Sequence, residues 1–190
     1  MGLRVVVVGV AGVGKTTVVS KLIAKFKGAH LVNFGSVMFE EARRRKWANH
    51  RDQLRKLTVA RQSELQTLAA GRISKQRERV VVVDTHLFIR TQEGFWPGLP
   101  FEVVRALKPT HLVLVEASPE EIVTRRATDG KRYRDPVGEA SVAEEIELAR
   151  GFLIVSSTLT GAPMLIVRNS EGRASDAASR IATALRKALP

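Results

Sequence analysis

An α/β fold, built on a parallel five-stranded sheet with helices on both faces, is predicted by three features of the sequence. Strand-like and helix-like segments alternate along the chain, and the strand-like ones are near-continuous β-branched runs, as strands buried on both faces require. The first such run also passes without a break into a glycine loop and then a helix. At 190 residues, 44% hydrophobic and 26% charged, the chain suffices for one sizeable core and is too short for two full domains. Cysteine is absent, which excludes disulfides and thiolate zinc sites. No apolar run approaches a membrane span, and Met1 leads into the first strand without a secretory leader, so a cytoplasmic protein with no membrane partner is expected. Lys and Arg number 31 against 19 Asp and Glu, a formal charge of +12. That excess is dense over residues 15–79, whereas Glu139–Glu147 is acidic. Such a balance suits nucleic acid, a membrane surface or small anionic substrates, without choosing among them.

Leu3–Val8 reads as a buried strand, and Lys15–Lys27 as a helix carrying Val18, Val19, Leu22, Ile23 and Phe26 at helical spacing. Between them Gly9-Val10-Ala11-Gly12-Val13-Gly14-Lys15-Thr16 matches the G-x-x-x-x-G-K-[ST] phosphate loop in full, with Thr17 following. Its glycines let successive N–H groups turn toward a phosphate, and the helix start adds its positive dipole end. Lys15 is placed to reach the β- and γ-phosphates and Thr16 to hold Mg²⁺ through its hydroxyl, which predicts an ATP- or GTP-binding protein.

Ala29–Phe34 reads as the second strand, leading to Gly35 and to Ser36 as N-cap of a helix over Val37–Trp47. A further helix is expected from about Arg51 to Gly71, with Leu54, Leu57, Leu65 and Leu68 on its apolar face. Arg79–Asp84 is the third strand, and its terminal Asp84 stands where a Walker-B aspartate would contribute to Mg²⁺ binding. Thr85–Pro100, rich in glycine, proline and aromatics, reads as a rigid loop. Thr110–Glu116 is the fourth strand, and Ser118-Pro119-Glu120-Glu121 opens a helix with an N-cap, a proline and a capping glutamate. Asp129–Gly138 interrupts the pattern with a polar, basic segment. Ser141-x-x-Glu144 is expected to start a long helix ending near Gly161, followed by a fifth strand over Pro163–Val167 and a last helix over Ser175–Leu189.

Arginines recur where a phosphoryl-transfer site needs them: Arg55, Arg90, Arg125, Arg126, Arg132 and Arg134. Bringing a phosphate donor and a phosphate acceptor together requires several guanidinium groups to offset their repulsion, and no general base, because the acceptor oxygen is already ionised. Each arginine also has a plain reading as a solvated helix face, and Asp84 as a turn cap. His86 reads as a packed or capping residue, and Trp47 and Trp96 as core or interface residues.

The phosphate loop, Asn33-Phe34-Gly35-Ser36-Val37-Met38, Arg51-Asp52-Gln53-Leu54-Arg55-Lys56-Leu57, Val83-Asp84-Thr85-His86-Leu87-Phe88-Ile89-Arg90-Thr91 and Gly94-Phe95-Trp96-Pro97-Gly98-Leu99-Pro100 resemble the successive signatures of the archaeal-type adenylate kinases. The resemblance runs along nearly the whole chain. It implies a nucleoside monophosphate kinase fold with a short lid, a homotrimer, and reversible Mg²⁺-dependent transfer of the ATP γ-phosphoryl group to AMP, giving ADP. It carries ATP binding onto Gly9, Val10, Ala11, Gly12, Val13, Gly14, Lys15, Thr16 and Thr17, and AMP binding onto Gly35, Ser36, Arg55 and Arg90. Catalytic roles fall to Lys15, Arg125, Arg132 and Arg134, and Mg²⁺ to Thr16 and Asp84, partly through water. A single kinase domain over residues 1–190 follows, with an acceptor-binding helical excursion at about 35–77 and a lid at about 129–138 that contains no zinc. Ala11 and Ser36 depart from the family pattern, where proline and aspartate are common, and Ser36 leaves the choice of monophosphate open. Two rivals stand beside this reading: another phosphate-loop kinase that uses Asp84 as base toward a hydroxyl, and an ATP-switched nucleic-acid-binding protein with residues 43–79 as its footprint.

Overall fold

A computed structural model describes residues 2–26, 28–91, 94–128 and 138–189. The β-branched runs form β1 (Leu3–Val8), β2 (Ala29–Asn33), β3 (Val80–Asp84), β6 (His111–Glu116) and β7 (Met164–Arg168). They form the parallel five-stranded sheet that the sequence predicts, in the order β2-β3-β1-β6-β7. Central β1 and β3 are buried almost throughout, which is why both read as uninterrupted valines rather than as an alternating pattern. Flanking helices are α1 (Lys15–Ala24), α2 (Phe34–Arg44), α3 (Val59–Ser74), α4 (Phe101–Leu107), α5 (Pro119–Thr128), α6 (Glu139–Thr160) and α7 (Ala174–Lys187). α1 packs with α7, while α4 packs with both α3 and α6.

Register sets the site. Asp84, the last residue of β3, lies between Asn33 of β2 and Val7 of β1, two residues ahead of the phosphate loop. Three strand ends therefore bring Asn33, Asp84 and the loop together at the carboxyl edge of the sheet, where open α/β sheets bind ligands.

Several local expectations are corrected. Ser36 is not the N-cap of the second helix: β2 runs directly into α2, and Asn33 caps it by accepting the Ser36 N–H at 3.0 Å. The helix expected from Arg51 to Gly71 is divided into a 3₁₀ segment, Arg51–Lys56, and α3. Leu57 and Thr58 are extended between them, and the Thr58 hydroxyl accepts the Arg61 N–H to start α3 afresh. Within the expected loop Thr85–Pro100, β4 (Phe88–Thr91) and β5 (Gly94–Pro97) pair as an antiparallel hairpin. Aromatics drive it: the Phe88 and Phe95 rings meet edge to face at 4.9 Å. Helix α4 has no counterpart in the sequence reading, because its seven residues show only Val103, Val104 and Leu107 to the core. Helix α6 begins at Glu139 behind Gly138 rather than at Ser141, which lies inside its first turn. The Ser118–Glu121 capping box forms as expected, with the Ser118 N–H and hydroxyl donating to Glu121 Oε2 at 2.9 Å each.

Candidate active site

The phosphate loop is shaped by glycine backbone and tied by distant side chains. Gly14, at φ 80°, ends the loop and caps α1 without a side-chain hydrogen bond, so the first N–H groups of that helix are not claimed by a side-chain cap. A Cβ at Gly14 would also stand 2.5 Å from Asn169 Nδ2. Asn169 is buried just beyond β7 and donates that amide to the Val13 carbonyl at 2.8 Å. Arg125 Nη1 reaches the same carbonyl at 3.3 Å, and Arg126 Nε donates to the Ala11 carbonyl at 2.9 Å. In a trans peptide the C=O and the next N–H point opposite ways, so fixing the carbonyls of Ala11 and Val13 on the α5 and β7 side turns the Gly12 and Gly14 N–H groups away from it. Donors so oriented form the concavity that cradles a phosphate.

Lys15 is only 8% exposed and forms an ion pair with Asp84. The other Asp84 oxygen accepts from Asn33 Nδ2 at 3.0 Å. Asn33 Oδ1 in turn accepts from the Ser36 N–H, from the Ser36 hydroxyl at 3.1 Å and from Arg51 Nη2 at 2.9 Å. Arg51 crosses directly over Gly35, where a Cβ would stand 2.7 Å from its Nη2. A continuous polar chain thus runs from the lysine of the phosphate loop through Asp84 and Asn33 to an exposed arginine on the helical excursion. Thr16 and Thr17 are exposed on the first turn of α1.

Behind the loop, Glu121 ties α5 to the end of β7. Its carboxyl is held below the usual glutamate range chiefly by the Ser118 N–H, with burial opposing and the Glu171 N–H, the Ser118 hydroxyl and the Arg125 charge adding to it.

Comparison with known proteins is decisive at this point. The chain is 43% identical over 179 residues to the adenylate kinase of Thermoplasma volcanium, covering 94% of this chain and 97% of that one. It is 40% identical over 180 residues to the adenylate kinase of Methanopyrus kandleri, covering 93% and 94%. The chain belongs to the adenylate kinase family. A family model described as an AAA domain matches residues 8–143. Among solved structures, shikimate kinase from Acinetobacter baumannii superposes with a TM-score of 0.65 over 99% of this chain and 95% of that one, at 17% identity, a likeness of fold.

Of the residues expected from sequence, the structure brings together Gly9–Lys15, Asp84, Gly35 and Ser36. Arg55 is exposed on the 3₁₀ segment. Arg90 lies in β4, its side chain outside the described residues, as are Arg132, Arg134 and the segment 129–137. Arg125 is engaged at all three nitrogens, by the carbonyls of Val13 and Asn169 and by Glu171. Sequence reasoning did not single out Asn33, Arg51 or Asn169, which the structure joins to Asp84 and the phosphate loop. A signal existed for the two asparagines, each a polar residue at the carboxyl end of a strand. For Arg51 the signal was its place in the same short motif as Arg55.

Proposed function

We propose that the chain catalyses reversible transfer of the ATP γ-phosphoryl group to AMP, giving two ADP, with the phosphate loop as donor site. The observation that carries this reading is a complete phosphate loop facing Asp84 across adjacent strands, in a chain of the adenylate kinase family. An AMP phosphate oxygen forms a bond to the γ-phosphorus while the bond from that phosphorus to the β,γ-bridging oxygen breaks, and the electron pair stays on the departing ADP. Lys15 supplies positive charge to the phosphates once ATP draws it from Asp84, and the loop N–H groups hold the β-phosphate. Gly35, Ser36, Arg55 and Arg90 are assigned to AMP on the family resemblance, and the contacts of Arg51 with Gly35 and Ser36 add it to that set. Arg132 and Arg134 are assigned to the transferring group on sequence grounds, within a lid over 129–138 of a single kinase domain, and Arg125 to the donor side.

Mg²⁺ is proposed as cofactor. The Thr16 hydroxyl and the Asp84 carboxylate are hard oxygen donors, the type this ion prefers. Among the described residues no group of three or more His, Cys, Asp or Glu could hold a metal. When bound, the ion offsets charge on the β- and γ-phosphoryl oxygens.

Conversion of ATP and AMP together to ADP, with neither nucleotide converted alone, tests the activity. Asp84→Asn should lower the rate and be partly restored by added Mg²⁺; a loss equal at every Mg²⁺ concentration would remove Asp84 from the metal shell. A cytoplasmic homotrimer is also proposed. No helix among the described residues is long and apolar enough to cross a membrane. Edge strand β7 exposes Met164 and Ile166, and α6 exposes Ile154, Val155 and Leu159, an apolar surface suited to self-association. Sedimentation showing a monomer at every concentration would refute the trimer.

A further inference from the structure

We infer that Arg126, clasped by Glu145, is a positioning residue that holds the donor loop in its phosphate-binding shape; this rests on the donor-site reading above. Arg126 lies in the last turn of α5 and Glu145 near the start of α6, the next helix along the chain. Arg126 Nη2 and Nη1 meet the two Glu145 oxygens at 2.5 and 3.4 Å, and the side chains are only 10% and 9% exposed. The third nitrogen, Nε, is left for the loop and donates to the Ala11 carbonyl. The stem of the same side chain fills the space beside Gly12, where a Cβ would stand 2.9 Å from Arg126 Cγ and the backbone is left-handed at φ 85°. One side chain therefore supports two consecutive loop residues.

Charge explains the division of labour. A nearly buried guanidinium needs a carboxylate, and Glu145 supplies one, but a buried pair of this kind adds little net stability compared with apolar packing. What it supplies is registry: the fork fixes the guanidinium plane, the plane aims Nε at the Ala11 carbonyl, and that peptide then presents the Gly12 N–H away from α5. Lysine at 126 could keep the charge pair but has no Nε–H and no plane. The prediction is thus a separation between stability and donor affinity.

The test compares Arg126→Lys, the double variant Arg126→Met/Glu145→Met, which removes both members of the pair together, and the parent protein. ATP and AMP affinities are measured by calorimetry and folding by thermal unfolding. Both variants should fold and bind ATP more weakly by about tenfold or more, the worth of one hydrogen bond from a charged donor, with AMP affinity unchanged. ATP affinity unchanged in the double variant, or ATP and AMP weakened equally, would overturn the inference. Lys15→Ala serves as the control. If that variant still transfers phosphoryl groups, the donor-site reading itself fails; if it does not, and the Arg126 variants bind ATP normally, only the positioning role fails.

Discussion

The proposed donor and acceptor ends of this molecule are built differently. At the donor end, the loop follows the central strand of the sheet, and its carbonyls are held by Arg125, Arg126 and Asn169 from two other elements. At the acceptor end, α2, the 3₁₀ segment and α3 share a small separate cluster of Ala42, Ala48, Leu54 and Leu65, and Arg51 and Arg55 are exposed. Between Arg43 and Arg79 basic residues outnumber acidic ones severalfold. The proposed donor end is thus held by buried side chains, whereas the proposed acceptor end presents solvated arginines from a segment whose helices also reach the main core through Phe34, Val37, Ala69, Ala70 and Ile73. A triphosphate must be held rigidly for in-line transfer, and a fixed loop does this without reorganisation at the moment of reaction. A monophosphate can instead be drawn in by exposed arginines and enclosed afterwards.

The largest expected effect lies at the donor end. Lys15→Ala should reduce turnover by about 10²–10³-fold or more while leaving the fold intact, because its charge acts on the migrating group. Single-turnover rates of the folded variant check this, and near-parent rates would sink the phosphate-loop assignment. At the acceptor end, Leu65→Ala should cost about 2–5 kcal/mol, as for other fully buried leucines. Hydrogen exchange decides where that loss appears. Faster exchange confined to α2 and α3, with weaker AMP binding, would sharpen the contrast; equal loss across β1 and β3 would show one cooperative unit and break it.

Arg51→Ala should weaken AMP binding by about tenfold and leave ATP binding nearly unchanged, the worth of one charged hydrogen-bonding group. Calorimetry with each nucleotide separates the two, and equal weakening of both would mean that the polar chain through Asn33 and Asp84 couples the ends. The smallest effect concerns Glu121, where Gln should cost about 1 kcal/mol as a weakened cap. Because the folded-state pKa is depressed, the wild-type advantage is fully present above the unfolded glutamate pKa and is lost as pH falls through the folded value. Thermal unfolding of both proteins from neutral pH downward should show the two curves converging in acid, and a gap that persists there would remove the carboxylate as its cause.

Local chemistry was legible in the sequence. The β-branched runs announce buried strands, the glycines of the loop announce its backbone, and Ser118 with Glu121 announces a capping box, since each depends on neighbours within a turn or a strand. Asp84 could be singled out because a strand run ends on it. The hairpin of Phe88 with Phe95, the break at Leu57–Thr58 and the start of α2 at Phe34 behind its Asn33 cap were not legible, because each is chosen by packing or by a competing cap. Only the tertiary structure decided what stands behind the loop. Arg126 meets Ala11 across 115 residues and Asn169 meets Val13 across 156. Nothing in the local pattern of an arginine or an asparagine tells which backbone carbonyl it will meet. That depends on the strand order β2-β3-β1-β6-β7, which sets β7 and α5 beside the loop, and on the buried Glu145 that orients Arg126. Periodicity and capping act within a few residues and are written in sequence, whereas the partner of a buried charge is set by the docking of whole elements.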